Sequence, residues 1–271
     1  MKIVFVVCMS LSLCNAVTAQ HFLQKIWETD SMLAVPESVI LDVKNNTLYA
    51  SLINGGGGKG GIAKVSTDGK IIDTAWITGL NAPKGSGIHN GLLYVANSTE
   101  VALIDIAKGA VLQKIPIDGA VFLNDITIDG SGTVYVSDSR AGKVYSIKNN
   151  QPQLLFENME NPNGLLAVGN SLYILAKGIL YKADLATKQL TKIAEGMEPS
   201  TDGLQQVDDQ SFIVTSWIGA VYYVGSNGSV QELLNTKADK INTADLYYDR
   251  NKKIAYIPTF FKKSVVAFEL H

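Results

Sequence analysis

Apolar and polar residues alternate along most of the chain in runs of about four to seven, as through Val134 and Val136 and again at Val144 and Ser146. The three-to-four spacing of an amphipathic helix is almost absent, so the runs predict antiparallel strands joined by tight turns. A hydrophobic pair that opens one short strand returns six times, about 40 residues apart: Leu48-Tyr49, Leu93-Tyr94, Val134-Tyr135, Leu172-Tyr173, Phe212-Ile213 and Ala255-Tyr256. Ahead of each pair stands a turn rich in Asn, Asp and Gly, among them Lys44-Asn45-Asn46, His89-Asn90-Gly91, Asp129-Gly130-Ser131-Gly132 and Gly169-Asn170. These residue types tolerate the left-handed backbone that hairpins require. Six units of four short strands predict an all-β fold, a six-bladed β-propeller of four-stranded antiparallel blades. Two stacked sandwiches would not produce six equal units. The last unit ends at residues 264–270 with three strands, while residues 25–30 form a lone strand ahead of the first. That N-terminal strand is therefore expected to close the last blade and cover two open edges at once.

The first residues do not share the pattern. Met1 and Lys2 precede an almost unbroken apolar run, which gives way to Val17-Thr18-Ala19. A charged start, an apolar stretch and an A-x-A-like site read as a secretory signal peptide. Residues 1–19 are expected to be removed, residues 20–271 to form a single propeller domain, and the protein to be exported, periplasmic or secreted. Cys14 allows a rival reading, a lipid anchor at a lipoprotein-type site, which the bulky Leu13 disfavours. No segment reaches the apolar run of about 18 residues that a membrane helix needs. Both cysteines, Cys8 and Cys14, lie in the leader, so the mature chain carries neither disulfide nor thiol chemistry. The chain has 23 Lys and Arg against 25 Asp and Glu, and losing Lys2 makes the formal charge −3. That balance points to neither nucleic acid nor an anionic membrane as partner. The glycine run from Gly55 to Gly61 lacks the spacing of a phosphate loop and reads as a hairpin tip in the first blade.

In a propeller the innermost strand of every blade lines the central channel, so equivalent residues at the starts of those strands converge. Aligning the units on their hydrophobic pairs puts Glu37, Lys84, Asn124, Asn163, Asp202 and Ala244 at that position. Taken singly, an Asn or Asp there is a turn former at the start of a strand. Four together, two carboxylates and two amides with no His or Cys, form a hard-oxygen set suited to Ca²⁺. Zinc is disfavoured, because the only histidines are His21, His89 and His271. Without a cation, Glu37 and Asp202 would repel and one would be pushed toward protonation.

Pro36-Glu37, Asn124-Asp125, Pro162-Asn163-Gly164 and Asp202-Gly203, in that order and at blade spacing, resemble the sites of the senescence-marker-protein (regucalcin) and gluconolactonase family. Diisopropyl-fluorophosphatase and paraoxonase are similar in plan. The resemblance spans the mature chain and implies that Glu37, Asn124, Asn163 and Asp202 surround a divalent cation, usually Ca²⁺. It also implies that Asp202 is the catalytic carboxylate, as nucleophile or as general base. Two departures stand out: Phe122 occupies the place of an arginine typical of sugar-lactone hydrolysis, and Lys84 occupies the place of the paraoxonase-type histidine. His89 does not replace that histidine, since it sits in a hairpin turn. Substrate contacts are expected from Asn124, from Lys84 and from Trp217. Lys84 is read either as holding a substrate carboxylate or phosphate, or as a surface lysine. Trp217, with Phe260 and Phe261, either walls an apolar pocket or simply packs.

The expected function is an exported, metal-dependent hydrolase of a lactone or related small ester, its partner a small-molecule substrate. The alternative is a non-catalytic propeller that binds a ligand or protein at its top face and keeps the metal as a structural pin. A strictosidine-synthase-like condensing enzyme would need a different pocket acid. If the leader is read correctly, the mature chain begins at Gln20, and an intact mass of protein from the cell envelope checks it: a lipidated Cys14 or a retained Met1 would overturn export as a free protein.

Overall fold

The alternating runs pair into six four-stranded antiparallel sheets in the computed structural model, which describes residues 20–53 and 59–271. Residues 1–19, read above as a leader, and residues 54–58, which include the first four glycines of the run, lie outside the described residues. β1 (Leu23–Glu28) stands ahead of the first complete blade, which comprises β2 (Pro36–Asp42), β3 (Thr47–Leu52), β4 (Gly60–Ser66) and β5 (Ile71–Leu80). Blade two comprises β6 (Pro83–His89), β7 (Leu92–Asn97), β8 (Glu100–Asp105) and β9 (Ala110–Pro116). Blade three holds β10 (Leu123–Ile128), β11 (Val134–Asp138), β12 (Lys143–Lys148) and β13 (Gln151–Phe156). Blade four holds β14 (Pro162–Val168), β15 (Ser171–Ala176), β16 (Ile179–Asp184) and β17 (Leu190–Ala194). Blade five holds β18 (Thr201–Gln206), β19 (Phe212–Ser216), β20 (Ala220–Val224) and β21 (Val230–Asn235). Blade six is built from β22 (Tyr247–Asp249), β23 (Ile254–Pro258), β24 (Val265–Leu270) and, paired to β24, the N-terminal β1. The six-bladed propeller is thus closed by its own first strand.

The recurring hydrophobic pair has a direct structural cause. The second strand of each blade is sandwiched between two neighbouring blades, so both of its faces are buried and consecutive residues enter different cores. Leu48 packs with Tyr256 and Val265 of blade six, whereas the adjacent Tyr49 packs with Leu93 and Val95 of blade two. The same division holds all the way round: Leu93 and Tyr94, Val134 and Tyr135, Leu172 and Tyr173, Phe212 and Ile213, and Ala255 and Tyr256 each split between the two clusters flanking their blade. Six clusters therefore glue six blade interfaces. Outer strands face water on one side and carry the polar half of the alternation, as in the mostly exposed β9 and β17.

Asp caps the turns between inner and second strands. Asp42 Oδ1 accepts from the backbone N–H of Lys44 and Asn45, Asp129 Oδ1 from those of Ser131 and Thr133, and Asp249 Oδ1 from those of Asn251 and Lys252. Positive φ falls where the turn residues allow it, at Asn46 (48°) and Gly132 (85°).

Closure depends on more than the β1–β24 ladder, which runs from Leu23 opposite Leu270 to Glu28 opposite Val266. The Trp27 ring lies 5.7 Å from that of Tyr256, and its Nε1 donates to the Thr67 carbonyl of blade one at 3.0 Å. Gly69 beneath it has φ +90°, and a Cβ there would meet the indole at 2.8 Å. Against the cost of burial, Glu28 is held down to about 2 by hydrogen bonds from Lys25 Nζ at 2.6 Å and from Lys262 Nζ and Ser264 Oγ, both at 2.7 Å. Removing residues 21–30 should strip β24 of its partner and expose the blade-one and blade-six core, lowering the melting temperature by about 10 °C or more for several kcal/mol lost. A truncated protein that stays monomeric and melts within a degree or two of the parent would show that β1 does not hold the ring.

Candidate functional site

The inner strands β2, β6, β10, β14 and β18 each carry a β-bulge just after their first residue. In blade three Leu123 pairs with Asp138 and Ile126 with Val136, so three steps on β10 answer two on β11, and the other four inner strands gain one residue in the same place. A bulge re-aims the side chains it contains. Here it turns consecutive residues of each strand toward the axis and frees a backbone N–H. In blades three and five a buried hydroxyl takes that donor: Asp125 N–H donates to Ser137 Oγ at 2.9 Å and Gly203 N–H to Thr215 Oγ1 at 2.8 Å. Blade six differs, since β22 starts late and the chain before it is held by Ala244 N–H to the Pro258 carbonyl and Asp245 N–H to the Glu37 carbonyl, each at 3.0 Å.

Two rings of residues result. The upper ring holds Glu37, Lys84, Asn124, Asn163 and Asp202, every one buried, with Ala244 in the sixth place. Asn163 and Asp202 touch, the Asn163 Nδ2 donating to Asp202 Oδ1 at 2.8 Å. Asn124 turns its Nδ2 to Ser139 Oγ at 3.0 Å, and Ser139 in turn donates to the Pro162 carbonyl at 2.7 Å. Glu37 and Lys84 make no direct hydrogen bond to these side chains, yet their charges act on each other and on Asp202. The lower ring, unassigned by sequence reasoning, is Ser38, Gly85, Asp125, Gly164, Gly203 and Asp245. Asp125 Oδ1 accepts from its own neighbour Ile126 at 2.7 Å, and Oδ2 from the Leu165 N–H of blade four at 2.6 Å. Asp245 Oδ2 accepts from Ser38 Oγ and Oδ1 from Leu246 N–H, both at 2.7 Å. Its signal was present in the aligned units, where the residue after each ring position is small or acidic in all six. Beneath lies a cavity of about 170 Å³ lined by Asp125 and Asp245 with Val39, Ile126, Leu165 and Leu246.

Four buried carboxyls around one axis strain each other's ionisation. Burial first, then the Asp245 charge, pushes Asp202 up to about 8 against the pull of Asn163 and Lys84. Glu37 is raised well above the carboxylate range by burial and by Asp202, with Lys84 opposing; Asp125 is raised by burial and by Asp245. Asp245 rises to about 6, chiefly by burial. Lys84 is lowered by its own burial, more than the Glu37 charge restores.

Among the described residues no three His, Cys, Asp or Glu side chains gather as a metal cluster. The upper ring offers instead two carboxylates and two amide oxygens. Six buried side-chain polar atoms lack a hydrogen-bond partner among the described residues, and two of them, Glu37 Oε2 and Asn163 Oδ1, belong to this ring. Unpartnered oxygens beside mutually repelling carboxyls fit a hard cation.

Lys84 is no surface lysine: it is 4% exposed, and its Nζ lies 4.2 Å from the centre of the Phe122 ring. The exposed Arg140, which sequence alignment of the units did not single out, lies over the same ring at 4.4 Å. An arginine therefore reaches the place where the sequence offers Phe122, from the β11–β12 loop. Trp217 stands on the β19–β20 loop, edge-on to Phe260 at 5.5 Å and Phe261 at 6.1 Å, and no hydrogen bond or ring contact joins it to the upper ring among the described residues. His89, expected in the hairpin turn, is instead the last residue of β6, paired with Leu92 and within hydrogen-bonding distance of the turn residue Asn90, at the opposite end of the inner strand from Lys84.

No family model matches the chain, and no curated protein matches it. The resemblance to the senescence-marker-protein and gluconolactonase family rests on the residues that carry it. Solved structures do match over nearly the whole chain. A streptogramin B lyase shares 8% identity at a TM-score of 0.68, covering 93% of this chain and 98% of its own. A catalytically inactive virginiamycin B lyase from Staphylococcus aureus, solved with quinupristin, shares 10% identity at 0.66, covering 92% and 99%. The WD40 β-propeller domain of Doa1 shares 13% at 0.65, covering 86% and 77%. At such identities the likeness is one of propeller fold. The extracellular domain of a hybrid two component system from B. thetaiotaomicron matches as well, at 14% identity and a TM-score of 0.59, covering 86% of this chain and 33% of its own. No helix among the described residues is long and apolar enough to cross a membrane.

The lower ring yields a test of what Asp125 contributes. Asp125→Ala would leave the Leu165 N–H buried and unpaired between blades, at a cost of about 3 kcal/mol or more. Asp125→Asn keeps an acceptor for one of the two N–H donors, of Ile126 and Leu165, and turns its NH₂ toward the other, while removing a charge that burial already disfavours, so it should cost less than the alanine variant. Urea denaturation of both variants checks the order: equal losses would mean that one retained acceptor contributes nothing and that both carboxylate oxygens are needed to hold blades three and four together.

Proposed function

We propose that the top of the axial channel is the active site of an exported hydrolase acting on a lactone or related small ester, with Glu37, Asn124, Asn163 and Asp202 holding a divalent cation of the calcium class. The observation that carries this reading is the pair of unpartnered buried oxygens, Glu37 Oε2 and Asn163 Oδ1, in one ring with the Asp202 carboxyl. When bound, such a cation supplies Lewis-acid polarisation of the scissile carbonyl and stabilises negative charge on its oxygen. The rest falls to the chain. Asn163 holds Asp202 Oδ1 through its Nδ2, which orients the carboxylate and leaves Oδ2 to attack carbon or to take a proton from water. Asn124, steadied by Ser139, keeps its carbonyl oxygen for the ligand set. Burial of the whole ring excludes bulk water from the reacting atoms. The leader, together with the extracellular propeller domains among the structural neighbours, supports export. The lyase solved with quinupristin supports a propeller of this plan accommodating a small molecule.

A second reading is a propeller that binds its ligand or partner at the top face and keeps the cation as a pin. It draws on the aromatic group of Trp217, Phe260 and the exposed Phe261, whose rings pack on one another near the channel mouth.

Cation and proton compete for the same carboxyls, which sets the sign of a pH test. The folded state holds the Asp202 proton more tightly than the unfolded chain, so that contribution to stability is full below 3.8 and is lost as pH rises toward about 8. Metal-free protein should therefore weaken over that range, and the stabilisation by Ca²⁺ should grow with pH. At a thousandfold excess over Kd it is worth about 4 kcal/mol, read as a melting shift that chelator reverses. Glu37→Gln and Asp202→Asn should both reduce the shift. With enough Ca²⁺ to refill the site, Glu37→Gln should regain most of its activity against a panel of lactones and aryl esters, whereas Asp202→Asn should stay inactive. Equal recovery would reduce Asp202 to a ligand, and no Ca²⁺-dependent shift in the parent would sink the cation site.

A further inference from the structure

Lys84 and Arg140 are two cations held over one aromatic ring, at 4.2 and 4.4 Å, and neither forms an ion pair among the described residues. Lys84 is 96% removed from solvent by its 4% exposure, yet the hydrogen bond made by its ammonium is a 3.3 Å contact to the Ala82 carbonyl. A ring face repays only about 1–2 kcal/mol of such a cation's needs. Like charges so close also oppose each other, and Arg140 contributes to the lowering of Lys84. The obvious carboxylate nearby is already used. Asp138, fully buried, accepts from Val121 N–H through Oδ2 at 2.7 Å, and from Phe122 and Ala141 N–H through Oδ1 at 3.0 and 2.9 Å. It thereby staples the loop that carries Phe122 to the loop that carries Arg140, and Ser139 N–H adds a bond to the Phe122 carbonyl at 3.1 Å. The two cations are positioned in advance, and although the Glu37 and Asp202 charges act on Lys84 from a distance, no carboxylate of the described residues forms an ion pair with either cation.

We infer that Lys84, Phe122 and Arg140 form an anion subsite at the rim of the channel, and that the molecule bound there carries a carboxylate or phosphate group. Arg140 offers a planar fork of N–H donors that matches either group, while Lys84 supplies a point charge between that fork and the upper ring. A cation bound by Glu37 and Asp202 would neutralise those carboxylates and leave the charge of Lys84 and Arg140 for the ligand. Across the rim, Trp217, Phe260 and the exposed Phe261 face solvent with apolar surface suited to the rest of such a molecule. The substrate class is thus an anionic lactone or ester with an apolar portion, an inference that rests on the channel top being the active site.

Isothermal titration of the full mature chain with benzoate, phenylphosphonate and neutral benzamide tests this, in Ca²⁺ and again in chelator. At least one anion should bind the parent roughly tenfold or more tightly than benzamide, the gain expected of a charge-assisted hydrogen bond. The better of the two anions tells carboxylate from phosphate. Arg140→Gln should lose roughly tenfold for that anion and nothing for benzamide, and Lys84→Met should do the same. Arg140 is exposed on a loop, so R140Q keeps the test intact if K84M fails to fold. Benzamide binding as well as the anions, no anion binding by the parent, or R140Q binding anions like the parent would each overturn the subsite. The titration needs no turnover. An R140Q effect in a protein without Ca²⁺ response or hydrolysis would therefore sink the hydrolase and leave the subsite, and the converse result would sink the subsite alone.

Discussion

Six inner strands meet on an axis too narrow for six side chains at every level. A Cβ at Gly85 would fall 2.4 Å from Asp125 Oδ1, one at Gly164 2.2 Å from the Asp202 carbonyl, and one at Gly203 2.5 Å from Leu246 N. Each clash is with the next blade, so glycine at those places is the condition on which adjacent blades approach. Where a side chain is allowed in the lower ring it is Ser38, Asp125 or Asp245, and each spends its oxygens on bonds around the axis. The close approach that needs glycine thus also brings charges together.

The bulges and the buried charges are parts of one arrangement. Each bulge turns two consecutive residues inward, and in blades three and five the donor it frees is met by a hydroxyl of the second strand, Ser137 or Thr215, both fully buried. Thr215 passes the link on, donating to the Ala244 carbonyl of blade six at 2.7 Å. Hydrogen bonds therefore run from blade to blade near the axis, while the apolar clusters hold the blades together farther out. Carboxyls that burial and mutual repulsion push toward protonation are tolerated at the centre because this frame leaves them nowhere to move.

Charge is also segregated across the channel top. The carboxyls Glu37 and Asp202, with the neutral Asn163 bonded to Asp202, stand in blades one, four and five, while the cations Lys84 and Arg140 stand in blades two and three. Lys84 is the hinge between them, drawn by Glu37 and Asp202 and opposed by Arg140. On the proposed reading, the electrophilic centre of the substrate would meet the first side and its negative charge the second.

The sequence by itself determined the propeller, because its signals are local and repeated. The pair Leu48-Tyr49 and its five counterparts declare strands buried on both faces, and the Asp- and Asn-rich turns declare the hairpins, each within a few residues of chain. The unpaired strand at each end was enough to foresee closure by β1. The repeat also aligned Glu37, Lys84, Asn124, Asn163 and Asp202 at one level, since position within a blade maps onto height along the axis. Only the tertiary structure decided what those residues touch. Arg140 lies 18 residues after Phe122 in the chain, and it reaches that ring because Asp138 ties two loops together. Asp125 and Asp245 are far apart in sequence, yet the Asp245 charge raises Asp125 because both are buried at the axis. Contacts of this kind depend on the distance between blades, set by glycine and by bulges, and no spacing along a single strand encodes it.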